Sequence, residues 1–269
     1  MNINPADFQK IVILTGAGIS AESGIATFRD SNGLWEQHRI EDVATPEAFA
    51  RDPHLVWRFY SLRRQNAAGA KPNPAHLSLV DYAQHSGKEI SLITQNVDVL
   101  HQRADPHGSL PIICMHGSLE QSRCERCEKI YFDDFSYFDH KGKFAPKSSQ
   151  LCSLEQRSSL NYLHREKIEY REELPLSPCC HKLLRPHIVW FGEIPMGMEQ
   201  IMSSIQQCDL FVSVGTSGQV YPAAGFLQLA KLSGATTVSI NKDPLSHRAH
   251  IDQFFEGPAG EILPRFFKR

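Results

Sequence analysis

Apolar and polar positions along this chain fall into blocks. Four runs, KIVILTG, EISLITQNVDVL, CDLFVSVGTS and TTVSINKD, are nearly all apolar and reach their ends in Gly, Asn or Thr. Strands buried on both faces read this way, whereas strands wetted on one face alternate. Helical stretches separate the runs. The pattern predicts an α/β fold, a Rossmann-like parallel sheet with helices on both faces. In such sheets ligands sit beyond the carboxyl ends of the strands.

Between about residues 121 and 182 the pattern breaks. CERCEKIYFDDFSYFDHKGKFAPKSSQ has a CxxC knuckle but no clean period, and SSLNYLHREKIEYREEL reads as a charged surface helix. This stretch is expected to be a small inserted zinc-binding module. The whole, 1–269, is read as a single domain. Its large Rossmann-like part covers approximately 1–35, 75–120 and 185–269, and a small helical and zinc-bearing module covers 36–74 and 121–184.

The 269 residues, 41% apolar with a net charge of -2, are enough for one globular core. Lys+Arg 28 against Asp+Glu 30 gives no electrostatic reason to expect nucleic acid or a membrane surface. No apolar run approaches the roughly 20 residues that a bilayer span needs. MNINPADFQK lacks the marks of a secretory or transit leader, so a cytoplasmic chain is expected, and a monomer. In a reducing compartment, seven cysteines suggest metal ligands or buried thiols rather than disulfides.

Gly16-Ala17-Gly18-Ile19-Ser20-Ala21 follows the first run and satisfies G-x-G-x-x-[G/A]. Glycines there let the backbone turn tightly and approach a pyrophosphate, whose charge the next helix's N-terminus stabilises. A bland strand-to-helix turn satisfies the same pattern. An ordinary dinucleotide oxidoreductase also needs an acidic residue about 20 residues on. Here SGIATFRDSNGLW, with Phe28, Arg29 and Trp35, is a Gly-punctuated loop instead, which argues against a plain dehydrogenase.

Gln95, Asn96 and Asp98 form a polar cluster at a strand's carboxyl end, suited to a nicotinamide and ribose; the competing reading is a helix cap by Asn96 or Asp98. His116, in CMHGSL, has an ordinary pKa near 6.5 and is the side chain best suited to general-base work at neutral pH.

In WRFYSLRRQ, Asp52-Pro53 is a good helix start, and Leu55, Val56, Phe59 and Leu62 make one apolar stripe. Tyr60 and Arg63, three residues apart, project from one face. On an arbitrary helix, the arginine would simply snorkel to water past a half-buried tyrosine.

GAGISAESGIATFRD, TQNVDVLH, MHGSL, CERC, LLRPHIVWFGE, GTSGQVYPAA and SINKD occur in order, from about Lys10 to the C-terminus. Together they resemble the sirtuins, NAD-dependent protein deacylases, and YSLR resembles the Tyr-x-x-Arg signature of their class III, the desuccinylase and demalonylase type. The resemblance implies that Gly16, Ala17, Gly18, Ile19, Ser20, Glu22, Phe28, Arg29 and Trp35 form an NAD loop. Gln95, Asn96 and Asp98 would line the nicotinamide and ribose pocket, with His116 as catalytic base and Asn96 beside it. Gly215, Thr216 and Ser217 would touch phosphates and ribose, Asn241 the adenosine ribose, and Ala259 the adenine. Val189, Trp190, Phe191, Gly192 and Glu193 fall in the segment that pairs with an extended acyl-lysine peptide. The implied reaction removes succinyl, malonyl or acetyl groups from lysine, releasing nicotinamide and O-acyl-ADP-ribose. Tyr60 and Arg63 would receive an acidic acyl tail, and Ala68 and Ala70 leave room at the channel wall.

The zinc pattern departs from the family. Cys124 and Cys127 are one half of a structural site, but Ser177 stands where the third cysteine belongs, in Ser177-Pro178-Cys179-Cys180. Adjacent side chains tend to diverge, so the expected ligands are Cys124, Cys127, Cys152 and Cys180, with Cys179 the next choice after Cys152. Two other functions use the same motifs: an NAD glycohydrolase or mono-ADP-ribosyltransferase, and a zinc-bearing module that binds NAD without turnover. Neither needs an acyl channel.

Overall fold

The computed structural model describes residues 3–26, 34–35, 38–148, 161–243 and 248–268. A six-stranded parallel sheet lies at its centre, and the four apolar runs supply β1 (Lys10–Thr15), β4 (Glu89–Thr94), β13 (Leu210–Val214) and β14 (Thr236–Asn241). With β5 (Ile112–Cys114) and β15 (Gln253–Glu256) the order is β15-β14-β13-β1-β4-β5. β1 pairs with β4 on one side and β13 on the other. The chain therefore reverses its direction of travel at β1, which opens a crevice at that strand's carboxyl end.

The runs do not alternate because both faces of the sheet are covered. Ile11, Ile13, Leu92 and Val212 pack with α4 (Pro74–His85) and the C-terminal helix Ala259–Phe266. Val12, Leu14, Ile93 and Phe211 pack with the helices Met198–Gln207 and Phe226–Leu232. Among the described residues no helix is long and apolar enough to cross a membrane.

A second body grows from the carboxyl end of β5. β6 (Gly117–Cys124) lies between β12 (Leu184–Ile188) and β7 (Ile130–Phe132) in an antiparallel sheet. Its register runs from Ile188↔Gly117 to Leu184↔Cys124, so β6 and β12 form one ribbon from the large sheet to the CERC knuckle. Gly117 has φ +89°, and a Cβ there would overlap the His187 carbonyl, so the ribbon requires glycine at its root.

Upon this ribbon sit α1 (Ile40–Val43), α2 (Pro46–Arg51) and α3 (Pro53–Gly69), and beside α3 lies the hairpin β8 (Phe135–Phe138) with β9 (Phe144–Ser148). Val56, Trp57, Phe59 and Tyr60 share a core with Phe135, Tyr137, Leu184 and Trp190. α3 starts as expected, with the Asp52 carboxylate accepting from Leu55 N–H at 2.9 Å. It is buried more widely than one stripe, however, because the module wraps around it: Trp57 Nε1 donates to the Leu184 carbonyl at 3.0 Å.

Among the described residues of this stretch, 161–174, the expected charged surface helix is not formed. After one 3₁₀ turn at Arg165–Lys167, β10 (Tyr170–Arg171) and β11 (Leu174–Pro175) form a hairpin. Its two-residue loop, Glu172-Glu173, has φ of 48° and 66°, as a type I′ turn requires. Leu163, Ile168 and Leu174 are buried in the module's core, and that burial outweighs the helix propensity of the charged residues between them. The short strands β2 (Leu34–Trp35) and β3 (His38–Arg39) pair antiparallel.

Candidate active site

The sheet's crevice is built by loops pressed onto one another. Gly16 N–H donates to the Val214 carbonyl at 3.0 Å and Gly18 N–H to the Gly215 carbonyl at 2.8 Å. A Cβ on Gly16 would come within 2.8 Å of Gly215 and Thr216, and one on Gly18 within 2.7 Å of Gly215, so backbone meets backbone here with no room for a side chain. After Gly16 comes a 3₁₀ helix, Ala17–Ser23, closed by the left-handed Gly24, in place of the regular helix that the motif predicts. Phe28 and Arg29 lie outside the described residues, as does the Trp35 side chain.

Gln95, Asn96 and Asp98 leave the end of β4 in the same crevice. Gln95 Nε2 donates to Thr216 Oγ1 at 3.0 Å, and Asn96 Nδ2 to Ser20 Oγ at 3.1 Å, tying three expected cofactor loops together. The Asp98 carboxylate accepts from Leu100 N–H at 3.0 Å, at the start of α5 (Leu100–Ala104). The N-cap residue of α5 is Val99, so neither Asn96 nor Asp98 holds the cap position, and Asp98 reaches the helix only through this bond. Asp98 is buried, which raises its carboxyl pKa against the pull of Leu100 N–H, Ser20 and Arg103. Asn241 Nδ2 donates to the Thr216 carbonyl at 2.8 Å, while Ser217 Oγ accepts from Gln219 N–H at 3.3 Å. Glu22 accepts from Gly260 N–H at 2.8 Å, which brings the NAD-loop candidate against the helix that begins at Ala259. Glycine-lined backbone, buried amides and a buried carboxylate are a donor set that fits a dinucleotide.

His116 sits in the turn between β5 and β6, with Nδ1 3.0 Å from the Gln95 carbonyl. A carbonyl can only accept, so Nδ1 carries the proton and Nε2 keeps its lone pair. Burial lowers the imidazole's pKa, and the Gln95 bond offsets this only in part. The ring is therefore neutral at pH 7 with its basic atom turned away from Gln95. Sequence reasoning missed a further pair of buried histidines. His101 Nε2 is 3.0 Å from Thr15 Oγ1, and its ring centroid is 4.8 Å from that of His76. Burial holds both below the usual histidine range, His76 at about 4.

Tyr60 and Arg63 are inside the protein. Tyr60 is fully buried, and its oxygen accepts from Trp190 Nε1 at 3.0 Å. Arg63 is 6% exposed, stacks 3.2 Å over the Phe59 ring and donates to the Phe59 carbonyl at 2.9 Å. The snorkelling alternative does not hold. Trp190 belongs to the segment expected to pair with peptide, which turns back on itself early. Val189 N–H donates to the His116 carbonyl at 2.9 Å, Phe191 N–H to the Ala44 carbonyl at 3.0 Å, and Gly192 has φ +90°. The Glu193 carboxylate receives Arg185 through both Nη atoms, at 2.7 and 3.0 Å, and Trp190 N–H at 2.8 Å.

At the far end of the ribbon, the sulfurs of Cys124, Cys127, Cys179 and Cys180 lie within 4.8 Å of one another. A tetrahedral zinc about 2.3 Å from each sulfur needs them about 3.8 Å apart, so the four thiols fit one structural ion. Cys124, Cys127 and Cys180 of the expected set are in this cluster with Cys179, the next choice, while Cys152 lies outside the described residues. Adjacent side chains diverge along a strand, but Cys179 and Cys180 sit in a turn closed by His181 N–H on the Ser177 carbonyl at 2.9 Å, which lets both converge. Ser177 has not left the site: its buried hydroxyl is 3.1 Å from Cys124 Sγ.

A family model described as "Sir2 family" matches residues 16–222. The chain belongs to the Sir2 family. Among curated relatives, it is 43% identical over 259 residues to an NAD-dependent protein deacylase of Pasteurella multocida, covering 96% of each chain. It is 41% identical over 262 residues to one of Escherichia coli K12, covering 97% of this chain and 81% of the relative. Solved Sir2 structures agree with the fold. A Sir2 homologue in complex with NAD superposes with a TM-score of 0.77 at 34% identity, covering 98% of this chain and 90% of that one. A Sir2 protein bound to acetylated peptide gives 0.71 at 27%, covering 96% and 92%. The Sir2 cofactors, NAD and a structural zinc, match the two donor sets described above.

Proposed function

We propose that this Sir2 protein, an NAD-dependent protein-lysine deacylase, prefers acidic acyl groups. It would remove succinyl and malonyl groups ahead of acetyl, releasing nicotinamide and O-acyl-ADP-ribose. Deacylation with NAD is the activity named for its relatives, and the acyl preference is the step beyond them.

Bound NAD supplies an electrophilic ribose carbon and a leaving nicotinamide. The chain's own contribution is positioning and proton transfer. In this reading the loop Gly16–Ser20, with Gly215, Thr216 and Asn241, holds the dinucleotide, and Ala259 and Glu22 close over it. Gln95, Asn96 and Asp98 orient the nicotinamide end. His116 Nε2 takes the hydroxyl proton, and Val189–Glu193 lies along the acylated peptide.

The acyl preference rests on one observation: a phenol and a guanidinium share a buried face of α3, Tyr60 fully and Arg63 nearly so. A guanidinium and a phenol on one face have the chemistry to receive the carboxylate of a succinyl or malonyl chain, Arg63 as a fork and Tyr60 as a donor. Hydrogen bonds to a charged group contribute roughly 1.5–3 kcal/mol each, or about tenfold to a hundredfold in preference.

The test is a kinetic panel of acetyl-, malonyl-, succinyl- and glutaryl-lysine peptides with NAD. Arg63→Met should remove most desuccinylation while deacetylation stays within about tenfold. Equal loss on both substrates would mean that the pair supports the fold and does not read the acyl group.

A further inference from the structure

The 3₁₀ helix Ala17–Ser23 runs for seven residues, longer than that geometry usually supports, because its hydrogen bonds are poorly aligned. Bonds from outside support it. Asn96 reaches Ser20 from the end of β4. From α4 comes Asn73, whose Nδ2 donates to the Ile19 carbonyl at 2.7 Å and to Ser23 Oγ at 3.0 Å. The same side chain caps α4, with Oδ1 accepting from Ala75 N–H at 2.9 Å. A carbonyl can only accept and a backbone N–H can only donate, so Ile19 and Ala75 together fix which end of the Asn73 amide points where. Asn73 is 7% exposed, and both of its Nδ2 hydrogens go to the loop.

We propose that Asn73 is a positioning residue for NAD: from the cap of α4 it holds the loop Ala17–Ser23 in the shape that receives the dinucleotide. A cap alone needs only an acceptor, which Asp or Ser supplies equally well; asparagine adds two donors, and both are in use here. Gly18 is tied to Gly215, Ser20 to Asn96 and Glu22 to Gly260, and Asn73 is the tie to α4. Without it the other ties remain, but the loop is out of place part of the time. A cofactor that binds only the placed loop then binds more weakly, in proportion to the fraction of chains in which the loop is placed. At saturation the bound cofactor itself keeps the loop in position, so the chemical step is little changed. Loss of the two donors therefore acts on KM for NAD and spares kcat.

The inference rests on the reading that Gly16–Ser20 holds NAD, and its test keeps the two apart. Asn73→Ser and Asn73→Asp both keep an acceptor for the cap, one neutral and one charged, and neither has two N–H donors. KM for NAD and kcat are measured at saturating acetyl-lysine peptide, together with the dissociation constant of ADP-ribose and the melting temperature. Both variants should raise KM for NAD and the ADP-ribose constant about tenfold, with kcat within about threefold of the native value. The melting temperature should fall by no more than about four degrees, because the cap survives. A rise confined to Asn73→Asp would be charge repulsion of the cofactor, and it overturns the inference. So does an unchanged KM for NAD in both variants, or an equal loss in kcat and in KM for the peptide. In the native protein, the backbone amide resonances of Gly18 to Ser20 should move when ADP-ribose is added. If they stay still, the loop does not hold the cofactor; that reading then falls, and this inference with it.

Discussion

The geometry of His116 is set before any substrate arrives. The Gln95 carbonyl fixes the proton on Nδ1, and burial lowers the ring's pKa below its ordinary 6.5. In its proposed role as base His116 is active when deprotonated, so activity is present above the folded pKa and lost as pH falls through it. The acid limb of kcat/KM should therefore lie below pH 6.5, and a limb at or above that value would contradict the burial argument. His116→Tyr should abolish turnover on acetyl and succinyl peptides alike. Residues of this kind are legible in sequence when backbone chemistry constrains them: two glycines that must touch Gly215, or a histidine beside a glycine that must admit a carbonyl. Trp190 was legible only as part of a peptide segment, because its bond to Tyr60 crosses between elements and leaves no local pattern.

α3 shows how neighbouring residues of one type can have separate fates. Arg63 and Arg64 follow one another, and both are buried. Arg64 Nη1 lies 3.1 Å from the Asp133 carboxylate and donates to the Phe135 carbonyl at 2.6 Å, while Nη2 donates to the Gln121 carbonyl and to Ser122 Oγ, each at 3.1 Å. Asp133 also receives Ser122 and Tyr137. This arginine joins α3 to β6 and β8. Arg64→Leu would leave Asp133 buried without its cation and should cost about 3–5 kcal/mol in denaturant unfolding. The helix itself was readable from Asp52-Pro53 and the apolar spacing. The roles of its two arginines were not, since period gives a face and says nothing of what packs there. The described part of the expected charged helix, 161–174, departs from that reading for a related reason: Leu163, Ile168 and Leu174 bury themselves in a module whose core the local sequence does not reveal.

Among the described residues, the molecule packs around three cores, one on each face of the parallel sheet and one in the smaller module. The parallel sheet was plain from four apolar runs, because only strands covered on both faces have that composition. The cysteine cluster was half legible. CERC is a reliable knuckle, but the turn that brings Cys179 beside Cys180 depends on a backbone bond that spacing does not encode. Cys179→Ser should lower zinc content and reduce the melting temperature by several degrees, whereas Cys152→Ser should leave both unchanged. Metal analysis and thermal unfolding of the two variants decide the point.

The ribbon of β6 and β12 links these scales. One strand leaves His116 and arrives at Cys124; the other leaves the Cys180 turn and arrives at Trp190. His116 and Trp190 thus hang from one stiff rod whose opposite tip is a knot of sulfur. Loosening that knot frees both together, so the distant thiols set the tolerance to which the pocket is machined.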